Sequence, residues 1–191
     1  LNSAMTDEQR QQYIDNLEID FAVDVPGISR FRVNAFNQNR GAGAVFRTIP
    51  SEVLNMTDLG MGQIFKDICH KPNGIVLITG PTGSGKSTTL AAMIDYINAN
   101  YNKHIITIED PIEYVHTHKK SIIEHKEIGR DVPNYETALL GAMRQNPQVI
   151  LFGEMRTREE IENALRLAET GHLVFSTLHT RSAYQTITRV L

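Results

Sequence analysis

Apolar and polar positions alternate from Ile19 through Phe21 and Val23 to Val25, the two-residue period of a strand with one covered face. Pro26-Gly27 is a turn signal. Phe31 and Val33 then alternate with Arg30, Arg32 and Asn34 in a second strand. Arg40-Gly41-Ala42-Gly43 reads as the next turn and 44–49 as a third strand, which makes an antiparallel meander. The polar residues 1–16 ahead of it read as helical. The pattern changes after Pro50-Ser51. From Asp58 it is helical, with Ile64, Phe65, Ile68 and Cys69 on one face, until Lys71-Pro72-Asn73-Gly74 stops it. Strands over 75–79, 104–108, 149–152 and 173–177 then alternate with helices over 87–99, 135–144 and 158–170, broken by one polar stretch after 108. Ser182 is placed to cap a last helix. These strands are continuous apolar runs, as expected of a parallel sheet covered on both faces. The order predicts an α/β layered domain behind a smaller antiparallel α+β piece.

Composition narrows the classes. The 191 residues leave room for one full domain and part of a second. Lys and Arg total 19 against 22 Asp and Glu, a net charge of −3, which gives no support for a nucleic-acid partner. Hydrophobic residues at 41% with 21% charged exclude a disordered chain. The longest apolar run covers only 75–78, far short of the ~18 residues of a membrane helix. No basic and apolar leader opens the chain. A single cysteine, Cys69, forms no internal disulfide and no four-cysteine zinc site, which suits a reducing cytoplasm. Its place on an apolar helix face reads as core. Leu1 stands where a methionine would start a whole protein, so the chain reads as a fragment.

The chemistry centres on Gly80-Pro81-Thr82-Gly83-Ser84-Gly85-Lys86-Ser87, which fits G-x-x-x-x-G-K-[ST] without a mismatch. An apolar strand precedes it and a helix follows, as a phosphate loop requires. Glycines let successive N–H groups face one phosphate chain, and the helix N-terminus adds its positive end. Lys86 is expected on the β- and γ-phosphates of ATP and Ser87 on Mg²⁺, with Thr88 in the same nucleotide-binding run. Glu109 and Asp110 follow the strand over 104–108, where open α/β sheets bind ligands, and are placed to hold the waters of Mg²⁺ or to orient an attacking water. Glu113 reads equally as a solvated acid. The strand over 149–152 ends in Gly153-Glu154, a Walker B layout with glycine at the usual Asp position. Glu154 is placed to order or deprotonate water for attack on the γ-phosphate. His172 and His179 flank the strand over 173–177, where spacing alone leaves γ-phosphate sensing and a structural role equally open. From the residues alone, Arg30, Arg32 and Arg47 read as ordinary surface arginines of the meander.

At this point the resemblance is close. Residues 30–50 look like the N-terminal domain of the pilus retraction ATPases (PilT) of the type IV pilus and type II secretion ATPase superfamily. Ile108-Glu109-Asp110-Pro111-Ile112-Glu113-Tyr114-Val115-His116 resembles that family's Asp box. Val149-Ile150-Leu151-Phe152-Gly153-Glu154-Met155-Arg156 resembles its atypical Walker B, and residues 170–180 its His box. The resemblance covers essentially the whole chain, and residues 30–50 with Gly153–Arg156 favour the retraction branch.

The resemblance implies a partial PAS-like domain over 1–50 and a RecA-like P-loop ATPase domain over 51–191, cut after the His box. It implies a homo-hexameric ring on the cytoplasmic face of the bacterial inner membrane, held there through a platform protein, whose ATP turnover retracts the pilus for twitching motility and DNA uptake. Glu154 matches the catalytic glutamate, Glu109, Asp110 and Glu113 the Asp box, and His172 and His179 the His box. Arg30, Arg32 and Arg47 fall where the family supplies arginines to nucleotide sites. Alternative readings are a pilus-extension, accessory or type II secretion ATPase, a structural ring subunit with little hydrolysis, and a RecA-type nucleic-acid translocase, to which composition gives little support. Gln148 stands where the family often has Asp and Thr157 where Asp commonly follows Gly-Glu-Met-Arg, deleting acids expected near the site, and Ser176 replaces a usual glycine.

Overall fold

The computed structural model describes residues 4–50, 52–180 and 183–190. Ser182, expected as a cap, lies outside them. The chain divides into two compact units, Leu1–Glu52 and Val53–Leu191.

In the first unit, Thr6 and Gln9 form a reciprocal capping box that starts helix α1 (Asp7–Asn16). Strands β1 (Glu18–Val25), β2 (Ser29–Gln38) and β3 (Gly41–Ile49) form the expected antiparallel meander in the order β1-β2-β3. The Ile28 N–H closes the first turn on the Val25 carbonyl at 3.0 Å. The second turn is tighter than the Arg40–Gly43 reading. Gln38 pairs with Gly41 and Phe36 with Gly43, so the glycines belong to the strand. The reason is local, because a Cβ on Gly43 would lie 3.0 Å from the Phe36 ring, which takes that space. One sheet face carries the core of Ile19, Phe21, Val33 and Ala35 under Met5. Arg30, Arg32 and Arg47 share the opposite face by the strand's period. Arg32 stands directly across from Arg47, a repulsive juxtaposition. The Asp20 carboxylate offsets it, gripping Arg32 at 2.5–3.2 Å, and Asp24 stands 3.6 Å from Arg30.

The second unit holds a five-stranded sheet of β4 (Gly74–Thr79), β5 (His104–Glu109), β6 (Ile122–Glu127), β7 (Val149–Phe152) and β8 (Leu173–Leu178). The order is β4-β8-β7-β5-β6, and every pairing is parallel. The helices are α2 (Gln63–Cys69), α3 (Lys86–Asn100), α4 (Tyr135–Gln145), α5 (Arg158–Glu169) and α6 (Ala183–Val190). Alternate residues of the same strands feed two cores. Ile106, Ile108, Ile150, Phe152 and Val174 pack with residues of α4 and α5. Ile105, Val149, Leu151 and Phe175 pack with Met93, Ile94 and Ile97 of α3 and Cys69 of α2. That double coverage is why these strands read as unbroken apolar runs. Burial pushes the Cys69 thiol up to about 12, in keeping with a core residue.

Two sequence expectations fail here. Ile64 is 61% exposed and off the core face of α2, which begins only at Gln63. Strand β6 lies in the stretch that read as polar. Its inward positions are Ile123, His125 and Glu127, too polar to give an apolar signal. Among the described residues, no helix is long and apolar enough to cross a membrane.

Strand order positions the site. All strands run the same way, so the phosphate loop after β4, Glu109 on β5, Glu154 after β7 and His179 after β8 lie along one edge. Strand β8 lies between β4 and β7 and brings His179 between the loop and Glu154.

Candidate active site

The loop 80–85 turns the chain from β4 into α3. Gly85 caps the helix with φ +85, a conformation that favours glycine, and offers no side chain to the helix's first N–H groups. Those donors are left for an anion. Gly80 is favoured by its backbone, since φ +153 is a conformation that side-chain-bearing residues rarely adopt. Lys86 is 9% exposed, and its ammonium donates to the carbonyls of Gly80 at 2.9 Å and Pro81 at 3.0 Å. This arches the loop over the lysine and uses two of its three donors. Thr88 is engaged elsewhere, with its hydroxyl 3.0 Å from that of Tyr114. Among the described residues the Ser87 hydroxyl has no hydrogen-bond partner.

Glu154 sits in a charged cluster. Its carboxylate accepts from Arg156 Nε at 3.0 Å and lies 3.2 Å from His179 Nε2. Arg156 also reaches toward Asp110, at 3.9 Å, and so ties the end of β7 to the acids after β5. Thr177 donates to the Gly153 carbonyl at 2.7 Å and fixes the turn that carries Glu154. Sequence reasoning singled out Glu154 and His179 but gave Arg156 no role in the site. Its signal in the sequence was its place at the end of the Walker B-like run, two residues beyond Glu154.

Glu109 is buried beneath Gly153, where an added Cβ would lie 3.4 Å from Glu109 Cγ. Gly153, at the usual Asp position of the Walker B layout, thus lies directly against another carboxylate residue, Glu109. Burial pushes the Glu109 carboxyl up to about 7. The Glu113 N–H donates to it at 3.2 Å and ties the loop backbone at Glu113 to Glu109.

Other expected members lie elsewhere. His172 precedes β8 and is at the amino end of the sheet, a strand length from the phosphate loop. With six residues at ~3.3 Å each, that separation is ~20 Å. Its Nδ1 lies 3.0 Å from the Leu167 carbonyl and its own carbonyl takes the Gly74 N–H, so it joins α5, β8 and β4. The two flanking histidines therefore do not meet at one site. Gln148 is also at the amino end, where its side-chain oxygen takes the His104 N–H at 2.7 Å. Thr157 caps α5 in a reciprocal box with Glu160. Gln148 therefore deletes no acid from the site, and Thr157 is accounted for as a helix cap. Ser176 is fully buried in β8. Arg30, Arg32 and Arg47 belong to the first unit and the phosphate loop to the second.

Comparison with known proteins gives the setting. The family model described as "Type II/IV secretion system protein" matches residues 14–191. The chain is 60% identical over 187 residues to the "Type IV pilus retractation ATPase PilT" of Pseudomonas aeruginosa, covering 98% of this chain and 54% of that protein. It is 56% identical over 191 residues to the "Twitching motility protein" of Neisseria gonorrhoeae, covering 100% of this chain and 51% of that protein. A crystal structure of the pilus retraction motor PilT with bound ADP matches with a TM-score of 0.93 at 50% identity, over 99% of this chain and 55% of that one. The chain spans about half the length of the curated relatives it matches.

Proposed function

The chain belongs to the Type II/IV secretion system protein family, and we propose that it carries the nucleotide site of an ATPase that powers type IV pilus retraction. One observation carries the reading. The phosphate loop and the Glu154–Arg156–His179 cluster meet at the same edge of one parallel sheet. The retraction branch is favoured by the 60% identity to a PilT protein.

In this reading the triphosphate lies along the N–H groups of 80–85 and the start of α3. Lys86 moves from the Gly80 and Pro81 carbonyls to the phosphate oxygens. The Ser87 hydroxyl, a hard oxygen donor without a partner among the described residues, fits Mg²⁺, which when bound would neutralise phosphate charge. Glu154 orients a water and accepts its proton as the water oxygen bonds to the γ-phosphorus. The bond from that phosphorus to the bridging oxygen breaks, and ADP and phosphate leave. Arg156 and His179 hold the carboxylate in place, and His179 meets the γ-phosphate. Glu109, Asp110 and Glu113 order the surrounding water. One or more of Arg30, Arg32 and Arg47 supplies positive charge to a transferring phosphate, in its own subunit or in a neighbour. The whole protein works as a homo-hexamer in the cytoplasm, against a platform protein of the inner membrane.

The test is steady-state MgATP hydrolysis over a range of protein concentrations, with Glu154→Gln alongside. Turnover should rise with concentration and fall ~100-fold or more in the variant, while MgADP still binds. Equal turnover in both proteins would sink the role given to Glu154.

A further inference from the structure

The segment 110–121 carries Asp110 and Glu113, yet it contains no helix and no strand. Its path is set by side chains that take its backbone donors. The Ile112 N–H donates to the Glu127 carboxylate at 3.1 Å, the Glu113 N–H to Glu109 at 3.2 Å, and the His116 N–H to His125 Nε2 at 3.0 Å. Two of these acceptors, His125 and Glu127, are inward positions of β6, the strand that no apolar pattern announces. Glu127 is 3% exposed and in register with Glu109 on the neighbouring strand. A buried carboxylate costs far more than the isoleucine two turns of the pleat earlier, Ile123, unless it has partners. Glu127 has them. Arg130 stands 3.9 Å from its carboxylate, and its own N–H is taken by Asp131 at 2.9 Å.

We infer that Glu127 is a positioning residue of this site. Through the Ile112 N–H it sets where Asp110 and Glu113 lie, on either side of that bond. Glu127 need not touch the nucleotide to do this. The polar inward residues of β6 are then explained by function, because apolar ones would leave the Ile112 and His116 N–H groups without these acceptors.

The catalytic half of this inference rests on the ATPase reading; the structural half does not. The test uses the full chain with Glu127→Ala and Glu127→Gln, read by amide hydrogen exchange of peptides over 110–116 and by MgATP turnover. In Glu127→Ala, exchange over 110–116 should accelerate ~tenfold or more while peptides from β7 and β8 keep their protection. Its kcat should fall ~10- to 100-fold with KM within a factor of ~2. Gln keeps an acceptor oxygen and should restore both readouts. Wild-type exchange and kcat in Glu127→Ala would overturn the inference, as would a Gln variant as impaired as Ala. If the Ala variant fails to fold, Glu127→Asp decides, since it keeps the charge but withdraws the oxygen by one carbon and should release the segment alike. Absence of turnover in the wild-type chain would count against the ATPase reading, and the exchange measurements would still decide whether Glu127 positions the segment.

Discussion

Replacing Glu109 by glutamine should flatten the pH dependence of stability. Glu109 is 7% exposed at the end of β5. Burial raises its carboxyl from 4.5 to about 7, and the charges of Glu113 and Glu127 push the same way. The bonds from the Glu113 N–H and Thr107 pull in the other direction and do not win. The Tyr135 phenol lies close enough to feel its charge. The folded chain therefore holds this proton more tightly than the unfolded chain. That stabilisation is fully present below the unfolded value of 4.5 and is lost as pH rises through about 7. The gap, 7 − 4.5, at ~1.4 kcal/mol per pH unit gives a loss of ~3 kcal/mol. Urea unfolding followed by circular dichroism, from about pH 4.5 to about pH 8, measures it. The stability of Glu109→Gln relative to wild type should rise by ~3 kcal/mol across that range. His116, which burial lowers to about 4, contributes the opposite slope. It is present in both proteins and cancels in the difference. A difference that stays constant with pH would refute the argument, because it would mean that Glu109 titrates as a solvated acid.

Two further outcomes follow from named contacts. Lys86→Ala should weaken MgADP binding ~10- to 100-fold by calorimetry while leaving the thermal midpoint nearly unchanged, since its partners here are two carbonyls of an exposed loop. Asn98→Ala should cost ~2–4 kcal/mol in urea unfolding, because this fully buried side chain donates to the Thr117 carbonyl at 2.7 Å and accepts from the Lys119 N–H at 3.1 Å; a loss below ~1 kcal/mol would show that water replaces it.

Much of the molecule was legible along the chain. The meander, the phosphate loop and the helix–strand alternation each rest on a signal contained within a short window: a two-residue period, a glycine spacing, an apolar run bounded by turns. The apolar run of β7 was read to the residue, because its four positions are all buried. Glu154 was found because it directly follows such a run.

What stayed hidden needed partners distant in sequence. His172 and His179 flank one strand symmetrically, and only strand direction decides that His179 joins Glu154 while His172 faces the other end. Gln148 and Thr157 looked like lost acids until the fold placed the first at the amino edge of β7 and the second at a helix cap. Strand β6 gives no apolar run because two of its three inward residues, His125 and Glu127, face a segment that needs acceptors, and only Ile123 faces the oily core. Hydrophobic pattern reports that a residue is covered, not by what. Covering by backbone donors, and the choice of which strand ends lie together, arise only when the parallel sheet closes in the order β4-β8-β7-β5-β6.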